Sequence, residues 1–164
     1  MNARGFATML IAARKAKGLT QEAACELIGI GDISTLSKWE NGSIVPSEQM
    51  ILKIVQAYEE NLIGYLYLQE CTKIGNMLLP ELPIQHDLGG MVLRFQKEYN
   101  DIIKIRNEMV EVACDGIVHD YEEDIWQQAV KEIRELMAAC MPLVVKNFKQ
   151  NKMPLQDGHL ERAI

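Results

Sequence analysis

No apolar run in this 164-residue chain approaches the ~20 residues that a membrane-crossing helix requires. The N-terminus, Met1-Asn2-Ala3-Arg4-Gly5, lacks the long apolar segment of a secretory signal, which leaves a cytoplasmic location as the expectation. Cys25, Cys71, Cys114 and Cys140 are widely spaced, with no Cys-x-x-Cys pair, and fit small buried hydrophobes in a reducing compartment. His86, His119 and His159 have no ligand spacing, so a structural zinc site is disfavoured. Phosphate loops, nucleophile elbows and metalloprotease motifs are all missing. These absences argue against an enzyme, a resident metal and a cofactor.

Positive charge is also scarce: the formal net charge is −6. Its distribution is uneven. Residues 1–58 hold six Lys/Arg (Arg4, Arg14, Lys15, Lys17, Lys38, Lys53) against five acids, whereas the remainder holds eleven against eighteen. Any contact with nucleic acid therefore belongs to the first part, with modest non-specific affinity.

What is present is helical pattern. The 48% hydrophobic content suffices for a core, and nothing in the first part alternates as a strand would. Residues 5–17 place Phe6, Met9, Leu10 and Ala13 on one face. Arg14, Lys15 and Lys17 near its end suit either the helix dipole or a DNA-facing role. Thr20 is the expected cap of a helix over 21–28, with Ala24, Leu27 and Ile28 inward. Gly29 and Gly31 permit a sharp change of direction. A third helix is expected from Ile33 to Asn41, with Leu36 and Trp39 inward and Gly42 closing it in a left-handed conformation. Ser47 is the natural cap of a fourth helix, with Glu48 in its first turn and Met50, Ile51, Ile54, Val55 and Tyr58 as its apolar stripe. A tight helix pair with the second helix held outward suits the DNA major groove.

These residues resemble a known family. Arg14-Lys15-Ala16-Lys17-Gly18-Leu19-Thr20-Gln21, Ser37-Lys38-Trp39-Glu40-Asn41-Gly42 and Pro46-Ser47, in that order, are similar to the Xre/Cro-type helix-turn-helix domains, also called lambda-repressor-like, over residues 5–60. The resemblance implies double-stranded DNA as a partner. It implies that Gln21 faces the DNA backbone and that Ile33, Ser34, Thr35 and Lys38 face base edges. Asn41 and Ser43, with the backbone around Gly42, would fix register on phosphates. Glu40 would face inward, pairing with Arg14. The turn is longer than the family's by one residue, Asp32 repels phosphate unless it caps the third helix, and no long Gln, Asn or Arg opens that helix. Base readout would then be limited or rely on shape.

Beyond residue 60 the expectation is a connecting helix over 62–79 with Gly64 and Gly75 as weak points, then a Pro80/Pro83 break within a linker segment 61–85. A helical hairpin follows over 86–148. Its first helix, about 87–113, carries the seam Leu88, Val92, Phe95, Tyr99, Ile102, Ile105, Met109 and Val112, with Arg94, Lys97, Glu98, Asp101, Lys104 and Glu108 on the wet sides. Its second, about 121–141, buries Ile125, Ala129, Ile133, Leu136 and Cys140, is capped by Asp120, and ends or bends at Pro142. Residues 149–164 form a tail without periodicity. Asp115-Gly116 with Glu122 looks like half of an EF-hand loop, but Ala113 at its third position supplies no ligand, and an interhelical turn explains it. His119 reads as a surface-turn histidine.

The fold class expected is all-α, a helix-turn-helix bundle followed by an antiparallel hairpin whose uncovered surface favours a homo-dimer or homo-tetramer. The function expected is a sequence-specific transcriptional regulator, a repressor or phage or mobile-element control protein. The alternative is a protein-interaction module on the same scaffold that reads no base.

Overall fold

A computed structural model describes residues 4–83 and 87–146. The expected tail 149–164, His86 and His159 lie outside the described residues. Those residues form helices and no strand: α1 (Arg4–Ala16), α2 (Gln21–Ile28), α3 (Ile33–Glu40), α4 (Glu48–Tyr58), α5 (Leu62–Cys71), α6 (Lys73–Leu78), α7 (Leu88–Val112) and α8 (Glu123–Val145). The all-α expectation holds.

Phe6 and Leu10 of α1, Ala24 and Ile28 of α2, Leu36 and Trp39 of α3, and Ile51, Ile54 and Tyr58 of α4 share one core. Each helix reaches it by a stripe at helical spacing. Leu27 does not, and is 53% exposed. The buried arc of α2 is Ala24, Cys25 and Ile28. On a wheel of 3.6 residues per turn, Leu27 lies roughly 100° from the centre of that arc. Ser47 begins α4 through its carbonyl, which accepts from Met50 and Ile51 at 2.9 Å, while its hydroxyl caps nothing.

The core does not end at residue 60. Ile63 of α5 is fully buried within it. From the other end of α5, the Glu70 carboxylate accepts from the Phe6 amide at 3.0 Å and satisfies an orphan donor of α1. The helix expected to connect two units is thus the fifth member of the bundle. It stops at Thr72, not at either glycine. Thr72 takes an extended conformation, its hydroxyl donating to Leu68 O at 2.7 Å and accepting from Gly75 N at 2.9 Å. A β-branched residue with a hydroxyl offers the chain this local alternative to continuing the helix.

In the hairpin, α7 and α8 pack along their length. Asp87 caps α7 through Gly90 N at 2.8 Å. The side facing α8 is set by Met91, Glu98 and Val112, with Phe95, Ile102, Ile105 and Met109 half-covered. Leu88, Val92 and Tyr99, expected in the seam, are exposed. Glu98, expected in water, is 2% exposed because it lies seven residues from both Met91 and Ile105 and shares their side of the helix. Lys97 at 3.1 Å and Arg94 at 3.7 Å compensate its charge. Asp120 does not cap α8: Glu122 occupies that position without a side-chain bond, and its carboxylate accepts from His119 N at 3.0 Å instead. Ile125, placed on the buried side by sequence, is exposed near the start of α8. Pro142 sits inside α8, buried, and the helix continues to Val145.

Gly75 is buried, and a Cβ there would overlap the Leu68 carbonyl oxygen, a backbone atom that cannot swing away. Gly75→Ala is therefore expected to lower stability by about 1–3 kcal/mol through overpacking. Urea unfolding monitored by circular dichroism checks this.

Candidate nucleic-acid interface

The interface is built on a fixed turn. Gly29 ends α2 at φ +79°, its amide donating to Cys25 O, and Ile30 N donates to the same carbonyl at 2.9 Å. A side chain at Gly29 would be strained at that φ, so the sharpest change of direction falls where glycine is written. Gly31 takes no left-handed conformation. Asp32 then caps α3: its Oδ1 accepts from Ser34 N at 2.9 Å. The longer turn resolves with Ile33 as the first residue of α3.

Leu36 and Trp39 anchor α3 in the core. The opposite side presents Ile33, 40% exposed, with Ser34 and Lys38, while Thr35 is half-buried. Ser34 and Lys38 thus lie on the side away from the core, with Ile33 and Thr35 on its two flanks. Their hydroxyls are partly engaged: Ser34 Oγ donates to Asp32 Oδ2 at 2.6 Å and Thr35 Oγ1 to the same oxygen at 3.2 Å. While those bonds stand, both hydroxyls face a ligand as acceptors. The bonds from Ser34, above all, hold the Asp32 carboxyl below its ordinary pKa.

After α3, Gly42 adopts φ +74°, the left-handed closure read from sequence. Its amide donates to Trp39 O and that of Ser43 to Lys38 O, at 3.2 and 3.0 Å. Asn41 Oδ1 also accepts from Ser43 N at 2.9 Å. The backbone amides of this loop are spent internally. What it offers outward is the amide nitrogen of Asn41 and the hydroxyl of Ser43, both on exposed residues.

Beneath the interface lies a buried polar network. Arg14 Nε and Nη2 donate to Glu40 at 2.5 and 2.9 Å, and Arg14 Nη1 donates to Leu19 O at 2.8 Å. The inward pairing of Glu40 with Arg14 is as the sequence implied. Gln21 joins it, its Nε2 donating to Glu40 Oε2 at 2.8 Å. One of its two amide hydrogens is thereby taken. Arg14 is thus a scaffold cation, 9% exposed, and Lys17 pairs with Glu59 at 2.7 Å. Sequence reasoning missed Ile44 and Val45, 50% and 41% exposed in the loop that follows. Their signal was an apolar pair between Gly42 and Pro46, too short for periodicity to judge.

The hairpin supplies the other titratable cluster. Glu98, Glu132 and Glu135 bring one oxygen each within 4.8 Å of one another, but Lys97 and Arg94 already serve Glu98. At the hairpin tip, His119 Nε2 lies 2.8 Å from Asp115 Oδ2 and its ring stacks on Tyr121, as a surface-turn histidine would. Asp115 raises the His119 pKa above its ordinary value.

A short helix pair with a fixed turn, an outward second helix and a tight loop after it defines a helix-turn-helix domain. Residues 10–63, about a third of the chain, match the helix-turn-helix family model, of the Xre/lambda-repressor-like kind. The family is one of DNA-binding transcription regulators and is typically non-enzymatic. The match ends at Ile63, inside the core to which α5 contributes. No curated protein and no solved structure matches the chain. No helix among the described residues is long and apolar enough to cross a membrane.

Because the folded-state pKa of Asp32 is depressed from 3.8, its stabilising contribution is complete above that value and is lost as pH falls through the folded pKa. Melting curves from about pH 6 to pH 2 are expected to show a steeper acid loss for the natural chain than for Asp32→Asn. Equal slopes would remove the cap from the account of α3.

Proposed function

We propose that this chain is a sequence-specific regulator of transcription, a repressor or a phage or mobile-element control protein, that binds duplex DNA as an oligomer. The observation that carries the reading is the exposed side of α3, Ile33, Ser34 and Lys38, held rigidly by Leu36, Trp39 and the Asp32 cap. In this reading α3 enters the major groove. Ile33 meets thymine methyls, Ser34 and Thr35 accept from base amino groups, and Lys38 reaches guanine or phosphate. Gln21, Asn41 and Ser43 set register on the backbone. Short reading side chains leave much of the choice of site to DNA shape. The protein works where the DNA is, with no cofactor.

Oligomerisation is assigned to the hairpin. Val92, Tyr99, Ile103 and Val110 recur at steps of seven, four and seven along α7 and are 41%, 50%, 42% and 69% exposed. This second stripe, distinct from the one that meets α8, has the spacing of a helix–helix seam and fits another copy of the chain. Two copies would present two α3 helices to two half-sites.

A second reading, a protein-interaction module, is favoured by one observation. Asp32 puts a carboxylate at the start of α3 and engages two of the hydroxyls that would read bases.

Anisotropy titrations on DNA selected from random pools discriminate the two. The Ser34→Ala/Lys38→Ala pair is expected to weaken binding about tenfold or more with the fold intact, and loss of one phosphate contact would lower the salt slope by about 0.9. Absence of binding at low salt, or affinity untouched by the pair, overturns the DNA reading. A stoichiometric protein captured on the Ile33–Lys38 side would establish the second. For assembly, Tyr99→Glu/Ile103→Glu is expected to shift sedimentation to a smaller species while helicity stays unchanged.

A further inference from the structure

We propose that the cleft between the five-helix bundle and the base of the hairpin is a binding site for one small, uncharged, largely apolar molecule. The cleft opens to solvent beside Ala12 and Ala16 and has a volume of about 360 Å3. That lies in the range of small-molecule sites, and it holds fewer than about twenty non-hydrogen atoms at protein packing density. Its walls come from five parts of the chain: Ala12 and Ala16 of α1, Leu66 of α5, Pro83 after α6, Met91 of α7 and Pro142 of α8.

The void has a cause in the sequence. α1 turns Ala12, Ala13 and Ala16 toward it, and three methyl-sized side chains on one surface leave the facing helices unfilled. Met9 and Met91, unbranched and adaptable, border the same space and can close on ligands of different outline.

The lining also selects against charge. Its charged members are Glu60 and Lys146. Glu60 Oε1 already accepts from Leu62 N at 3.1 Å, and Lys146 has an interaction of its own. An ionic ligand would lose its hydration there without gaining a dedicated counter-charge. Water is poorly served for the same reason, since a buried water requires two to four polar partners. An apolar molecule removes the apolar part of this surface from water and demands no new hydrogen bond from the lining.

The site does not depend on the DNA reading and is tested without DNA. The full chain, with its methionine methyl groups isotope-labelled, is titrated with N-phenylnaphthylamine, an uncharged aromatic probe whose fluorescence rises on leaving water. Saturable shifts are expected at the methyls of Met9 and Met91, with one probe bound per chain. Met77 and Met137, 66% and 43% exposed outside the cleft, are expected to stay unmoved. Ala12→Phe, which directs a ring into the cleft from an exposed position, is expected to weaken binding at least tenfold. An unmodified chain in which Met9 and Met91 do not shift, or shift no more than Met77 and Met137, overturns the proposal. So does a folded Ala12→Phe chain that binds the probe as before.

Discussion

The bonds that Arg14 makes to Glu40 tie the N-terminal bundle together. They join the end of α1 to the end of α3, and through Gln21 and Leu19 they fix the start of α2 as well. Both charges are taken out of water, so neither survives alone: removing one partner of such a pair leaves a buried charge at a cost of about 3–5 kcal/mol. The pair is also directional. A guanidinium fork fixes the angle as well as the distance of the carboxylate it meets, which apolar packing alone would not do. Tyr58 stands against the same group. Burial, followed by the charge of Glu40, pushes its hydroxyl pKa up to about 12, and that hydroxyl finds no hydrogen-bond partner in the structure.

With the scaffold fixed from below, the outer side of α3 is free of structural duty except at its first turn. There the cap occupies the same atoms that the proposed reading of bases would use. Asp32 satisfies amides that α3 would otherwise leave open, and in doing so it engages the Ser34 and Thr35 hydroxyls. Lys38, one turn on, is the cation that this side presents. The result is a helix presented rigidly with a short-chained, lightly charged surface. Under the proposed function, such a surface suits shape-dependent reading more than a dense set of base contacts.

The hairpin applies a different constraint. Glu98 is accommodated between helices because Lys97 and Arg94 on its own helix reach its oxygens, so the charge is compensated locally rather than by α8. With Glu98 on the side of α7 that meets α8, Val92 and Tyr99 lie on another side and are exposed. The exposed stripe that we assign to a second copy is therefore linked to one buried carboxylate. At the other end of the hairpin, Met91 and Pro142 meet α1 and α5 across the apolar cleft.

The caps at Thr20 and Asp32, the left-handed closures at Gly29 and Gly42, the Leu36–Trp39 anchor and the Arg14–Glu40 pairing were all determined by the sequence itself. The caps and glycine closures depend on neighbours within a turn, where local stereochemistry leaves those residue types few other roles, whereas the pairing of Arg14 with Glu40, 26 residues apart, was implied by the family resemblance. The residues expected at the interface were legible as positions on α3 and its loop, with Gln21 at the start of α2. Their hydrogen bonds were not, since a hydroxyl or an amide has several partners within reach and only the folded backbone chooses among them. Periodicity also could not rank competing stripes: α7 carries two, and packing against α8 selected the one containing Glu98. Nor could it foresee that α5 belongs to the bundle, because Ile63 joins the core that holds Leu10 only when α1 and α5, far apart in sequence, come together. Local propensity wrote the helices and their ends; which side of each is buried was decided by long-range packing, where the free energy of removing apolar surface from water exceeds the preference of any single residue.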